Sequence, residues 1–142
     1  MKDNSLFFVD TNILVYAYEK DGASKNAKCR KIIEKCFKGE LELCVSNQVL
    51  AELASVLKYK LKKPLPDEDI REIIEEINRT ESWRKINYTN STVEKALQNK
   101  SSFWDSLIGE TMKENNILTI YTENTGDFKQ IDGIIAINPL NS

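Results

Sequence analysis

What most constrains this chain is the repeated switch between short apolar runs and longer stretches where apolar residues recur every three or four positions. Leu6, Phe7, Phe8 and Val9 form the first run, which stops at Asp10. Thr11 and Asn12 follow, and Ile13, Leu14, Ala17 and Tyr18 then fall at helical spacing. The pattern is strand, turn, helix. A chain that repeats this unit must bring each new strand back by a crossover, so it builds a mostly parallel, twisted sheet with helices on both faces, a three-layer α/β/α domain.

The same reading continues along the sequence. Ser24–Phe37 is expected to be a helix with Ala27, Ile32, Ile33, Cys36 and Phe37 on its apolar stripe, and Gly39 supplies a stop. Residues 41–45 read as a short strand. Ser46 or Asn47 can cap a third helix running to about Lys60, with Val49, Leu53, Val56 and Leu57 inward, and Pro64 and Pro66 close it. Asp67 opens a fourth helix carrying Ile70, Ile73, Ile74 and Ile77; residues 83–88 read as a strand and 92–98 as a short helix. After a polar break at 100–102, Phe103–Glu114 is expected to be helical, 117–122 a strand feeding a loop with Gly126, and 134–137 a last strand before Pro139. No repeat, low-complexity tract or linker interrupts this series, and 142 residues of which 41% are hydrophobic suffice for one globular domain spanning 1–142.

Composition removes several chemistries. The chain contains no histidine, which excludes Ser-His-Asp and Cys-His nucleophilic schemes. Cys29, Cys36 and Cys44 have no CxxC spacing and little company for a zinc site, so they are expected to be buried and reduced. Lys+Arg 20 against Asp+Glu 22 gives a net charge of −2, so contact with nucleic acid must use a local patch. Lys25, Lys28, Arg30, Lys31, Lys35 and Lys38 form one basic stretch, and Lys58, Lys60, Lys62 and Lys63 another; such runs are commonly solvated helix faces. No stretch resembles a signal peptide or a membrane span, and a cytoplasmic location is expected.

The chemistry that remains belongs to carboxylates. Sites in open parallel sheets form at the carboxyl ends of strands; Asp10 ends the first strand and Asp127 lies just beyond the 117–122 strand. Glu52 and Asp105 are odd in another way: each falls on the inward face of its helix, Glu52 between Val49 and Val56, Asp105 three residues before Ile108, with Gly109 leaving room for close packing. A core-facing carboxylate costs stability unless it is paired, neutralised or bound to a metal. Each acid also has an ordinary explanation: Asp10 and Asp105 as helix caps, Glu52 as a partner of Lys58, Asp127 as a loop residue. Held together, the four would repel one another unless a divalent cation sat among them, and oxygen ligands without His or Cys select magnesium or manganese.

Phe8-Val9-Asp10-Thr11-Asn12-Ile13-Leu14, the segment from Ser46 to Glu52, Trp104-Asp105-Ser106-Leu107-Ile108, and Thr122-Glu123-Asn124-Thr125-Gly126-Asp127-Phe128 together resemble the PIN-domain ribonucleases, and a compact chain of this length resembles the VapC-type toxins within them. The resemblance covers nearly the whole chain. It implies an acidic pocket of Asp10, Glu52, Asp105 and Asp127, with Asp10 and Asp105 as direct ligands of magnesium or manganese and the other two acting directly or through water. Thr11, Asn12, Thr122 and Asn124 would support them, and Glu123 or Glu110 could replace Asp127. It further implies hydrolysis of RNA by metal-activated water, a homodimer, and a small antitoxin whose C-terminal segment lies over the pocket.

Other readings remain open at this stage. A PIN-like module without activity that binds RNA or protein, or an RNA-processing PIN nuclease that is not a toxin, would carry much the same sequence. An aspartate-nucleophile phosphatase would also begin with a strand ending in Asp, but it wants a second aspartate where this chain has Asn12.

Overall fold

Residues 6–20 and 24–141 are described by the structure, a computed structural model. Among them, five strands form one sheet: β1 (Phe7–Val9), β2 (Leu43–Ser46), β3 (Trp83–Ile86), β4 (Thr119–Tyr121) and β5 (Ile135–Ile137). Their order is β3-β2-β1-β4-β5 and every neighbouring pair is parallel. Seven helices complete the three-layer α/β/α arrangement: α1 (Thr11–Tyr18), α2 (Ser24–Phe37), α3 (Asn47–Tyr59), α4 (Asp67–Arg79), α5 (Asn90–Ala96), α6 (Phe103–Glu114) and α7 (Thr125–Lys129). None of the described helices is long and apolar enough to cross a membrane.

The central strands are mostly apolar because both of their faces are covered. Phe8, Val9, Cys44, Val45 and Ile120 are fully buried, and Leu53, Leu57, Met112 and Phe128 pack into the same core. At one edge, β3 carries exposed Arg84 and Lys85, charges that discourage pairing with another strand.

Helix ends follow local chemistry. Gly39 takes φ +78 just past α2, where the Glu40 and Gly39 amides donate to the carbonyls of Lys35 and Cys36, a left-handed stop that a Cβ would strain. Ser46 caps α3 by accepting from the Val49 amide at 3.2 Å. The fifth helix begins at Asn90 rather than 92, because Thr89 and Thr92 form a reciprocal capping box that hydrophobic spacing does not reveal. The second strand starts at Leu43 rather than 41, and the loop expected around Gly126 contains the short helix α7, pinned by buried Phe128.

Strand order reverses direction between β1 and β4. Successive strands step away from β1 on one side up to β3, and β4 then adds on its other side. Loops leaving the carboxyl ends of these two strands therefore diverge and open a crevice. The far side of the crevice depends on a tight contact: a Cβ placed on Gly109 of α6 would lie 2.8 Å from Ile131 Cδ1 and 3.0 Å from its Cγ2. Gly109→Val is expected to lower stability by about 1–3 kcal/mol. Adding Ile131→Ala in the same chain should recover part of that loss in denaturant melts, and strict additivity of the two costs would contradict the contact.

Candidate active site

Asp10 stands where β1 becomes α1. Its backbone amide extends the sheet by donating to the Tyr121 carbonyl at 3.0 Å, and its side chain caps α1, with Oδ1 accepting from the Thr11 amide at 2.8 Å. The other oxygen, Oδ2, accepts from the hydroxyl of fully buried Thr122 at 2.8 Å. The capping explanation is thus correct for Asp10 but incomplete, since a carboxylate only 6% exposed also forms the wall of a cavity.

That cavity, about 360 Å³, is lined by Asp10, Thr11, Asn12, Val15, Tyr16, Glu52, Val56, Asp105 and Asn124. Three carboxylates converge there from β1, α3 and α6. Glu52 is not paired with Lys58, which binds Asp67 instead at 3.0 Å; its Oε1 accepts from Gln48 Nε2 at 3.1 Å. Asp105 does not cap α6, a role taken by Ser102, whose Oγ accepts from the Asp105 amide at 3.4 Å.

The electrostatics record the crowding. Burial, foremost, pushes Asp10 from its ordinary 3.8 up to about 6; the Thr122 and Thr11 hydrogen bonds hold it down, and the charges of Asp105 and Glu52 raise it further. Burial also raises Glu52, with Gln48 opposing, Asp105 adding and Lys60 opposing. Asp105 is raised by burial, lowered by Ser102 and raised by Asp127.

The fourth acid stands apart. Asp127 lies on α7, exposed, outside the cavity lining, and reaches the group through its effect on Asp105. Neither suggested substitute lines the cavity. Glu123 accepts from Tyr16 Oη at 2.7 Å and from Lys25 Nζ at 3.0 Å, and Glu110 is bound by Lys113 at 3.0 Å and Asn99 at 2.9 Å. The supporting residues are gathered: Thr122 Oγ1 also accepts from the Asn124 amide at 3.0 Å, and Asn12 Oδ1 accepts from the Glu123 amide at 3.5 Å, so the turn after β4 is tied to the start of α1.

Gln48 is the residue that sequence reasoning missed. It is 4% exposed, and its Nε2 donates both to Glu52 and to the Trp104 carbonyl at 3.0 Å, so one amide fixes α3 against the first turn of α6. A polar side chain one helical turn before Glu52, on the same face, was the available signal.

The basic stretches divide. Arg30 is consumed in capping α1 through the carbonyls of Ala17 and Glu19, and Lys25 is held by Glu123. In the second stretch the charge of Lys60 acts weakly on Glu52, and Lys58 is bound by Asp67. All three cysteines are buried free thiols, and burial pushes Cys29 up to about 11 and Cys44 up to about 12.

The donors present suit a hard cation. They are oxygens, and the buried Thr11 Oγ1 on the cavity wall and Gln48 Oε1 behind Glu52 have no hydrogen-bond partner. Among the described residues no three Asp, Glu, Cys or His side chains form a ready-made cage; magnesium usually keeps several waters in its shell.

Asp10 carries a consequence for stability without metal. Its folded-state pKa of about 6 exceeds the ordinary 3.8, so its contribution is fully present below about pH 4 and is lost as pH rises through about 6. Asp10→Asn should therefore make the metal-free protein more stable at pH 7 by up to about 3 kcal/mol and flatten the loss between about pH 4 and 6. Urea melts in EDTA across that range check this; a destabilised Asp10→Asn at pH 7 would contradict it.

Comparison with known proteins agrees with this architecture. The model of the PIN domain matches residues 7–134. No curated protein matches the sequence at a significant level. Among solved structures, VapC20 of Mycobacterium tuberculosis, a toxin that cleaves the sarcin–ricin loop, is similar with TM-score 0.67 and 19% identity over 92% of this chain and 97% of that one. A chain of the VapBC2 complex of Rickettsia felis, bound to a DNA fragment from its promoter, gives TM-score 0.64 and 22% identity over 94% and 98%. A toxin–antitoxin complex from Klebsiella pneumoniae gives 0.62 and 20% over 94% and 97%. At these identities the likeness speaks for the fold. With the family model spanning β1 to the residue before the last strand and the acids gathered at the switch point, this chain belongs to the PIN domain family.

Proposed function

We propose that this protein is a magnesium- or manganese-dependent ribonuclease that hydrolyses RNA phosphodiester bonds, and that it is the toxin of a toxin–antitoxin pair. The observation that carries this reading is the convergence of Asp10, Glu52 and Asp105 from three separate elements into one oxygen-lined cavity of a PIN domain. Asp10 and Asp105 are the direct ligands, and Glu52 and Asp127 act directly or through water. The chemistry supplied by a bound divalent cation is activation of the attacking water and neutralisation of charge on the phosphate.

The chain's own residues prepare that event. Thr11 and Thr122 fix the Asp10 carboxylate through one hydrogen bond to each oxygen. Gln48 sets Glu52 against α6, which carries Asp105. Asn12 and Asn124 hold the turn after β4 in place. With Lys58 bound by Asp67, Lys60, whose charge acts on Glu52, is the residue of the second basic stretch that offers positive charge for the RNA backbone.

The similar folds of a toxin that cleaves the sarcin–ricin loop and of toxin–antitoxin complexes support the toxin assignment and an antitoxin partner; a homodimer and a small antitoxin laid over the acidic pocket complete the reading. Purified protein free of antitoxin is expected to cut RNA with magnesium or manganese and not with EDTA. Asp10→Asn and Asp105→Asn, confirmed folded, should each lose about a hundredfold or more in rate. Equal cleavage by the variants, or cleavage in EDTA, would refute the proposal.

A further inference from the structure

Glu123 is an acid of the turn after β4 that does not line the cavity, and both of its carboxylate oxygens are engaged elsewhere. Oε1 accepts from Tyr16 Oη at 2.7 Å, and Oε2 accepts from Lys25 Nζ at 3.0 Å. Lys25 Nζ also lies over the Tyr16 ring, 5.2 Å from its centroid. The Tyr16 hydrogen bond, foremost, holds the Glu123 carboxyl below its ordinary range, with burial opposing and Lys25 adding to the effect.

An exposed ion pair alone contributes little. What matters here is which parts of the molecule the pair joins. Tyr16 lies on α1 and Lys25 on α2, and the corner between these helices is braced by buried Asn26, which donates to the carbonyls of Tyr16 at 2.7 Å and Glu19 at 3.3 Å. Of the residues flanking Glu123, Thr122 holds Asp10 Oδ2 at 2.8 Å and Asn124 lines the cavity. Tyr16 lines the same cavity from α1. The phenol–carboxylate bond therefore joins two walls of one cavity across 107 residues of sequence.

We propose that Glu123 is a positioning residue: through Tyr16 and Lys25 its carboxylate clamps the α1–α2 corner to the turn after β4, and the clamp sets the spacing of the cavity walls around the divalent cation. The proposal rests on the metal-centre part of the ribonuclease reading. Magnesium demands near-ideal octahedral geometry, so a wall displaced by a fraction of an ångström costs affinity even when every ligand remains. Groups that directly support metal ligands typically change affinity by roughly tenfold to a hundredfold. The clamp acts on the walls rather than on a ligand, and its loss is expected to cost about threefold to tenfold.

Manganese binding to the metal-free protein, read by electron paramagnetic resonance at an ionic strength of about 0.3 M that screens distant charges, tests this beside urea melts. Tyr16→Phe keeps the ring on the cavity wall and removes only the hydroxyl; it should weaken binding about threefold to tenfold, as should Glu123→Ala. The double variant should bind no worse than Glu123→Ala, because both changes open one clamp. Glu123→Gln keeps an acceptor for Tyr16 and should recover most of the loss. Unchanged affinity in Tyr16→Phe would overturn the proposal, and so would a lowered urea midpoint without loss of affinity, which is the mark of a merely structural bond. Glu123→Gln as weak as Glu123→Ala would also overturn it, leaving Glu123 a role through charge alone. RNA cleavage by the wild-type protein with unchanged manganese affinity in the variants would sink the clamp alone, whereas the expected affinities in a protein that cuts no RNA would sink the nuclease reading alone.

Discussion

The Asp10 carboxylate is the point on which the site depends. It is nearly buried, held by Thr11 through one oxygen and by Thr122 through the other, and it lies where the sheet changes direction between β1 and β4. Burial is the main force pushing its pKa up to about 6, and the nearby charges of Asp105 and Glu52 act in the same direction. A fold that keeps such a group there gives up stability in return for a concentrated negative centre, a common trade at functional sites. The backbone bond from Asp10 to Tyr121 and the side-chain bond to Thr122 tie the same residue twice to the end of β4.

Around that centre the architecture distributes its supports. α3 brings Glu52, α6 brings Asp105, and Gln48 joins the two helices through a single amide. Gly109 lets α6 sit close against Ile131, at the approach to β5. The acids thus come from elements far apart in sequence whose relative positions are set by the core, which is why each looks ordinary alone and the set does not.

Much of this was legible in the sequence because two signals agreed. The apolar runs around Phe8, Cys44 and Ile120 marked strands buried on both faces, and Glu52 and Asp105 stood out as charges at inward helical positions. What stayed hidden was governed by contacts that have no period. The Thr89–Thr92 box moved the start of α5, and Phe128 stabilised a five-residue helix through a segment containing Gly126. Asp127 lies on that helix outside the cavity lining, and its charge acts on Asp105. The bridge made by Gln48 depends on where α6 packs, which hydrophobic spacing within α3 does not specify.

The claim that organises these observations is that Asp10, Glu52 and Asp105 form a centre for a divalent cation. Titration of manganese into the metal-free protein, followed by electron paramagnetic resonance at neutral pH, tests it without reference to any substrate. Saturable binding is expected, lost or weakened about tenfold or more in Asp105→Asn, a variant that removes one charge from the cavity and leaves the Asp10 hydrogen bonds in place. Binding unaffected by Asp105→Asn, or no binding by the wild-type protein, would contradict it.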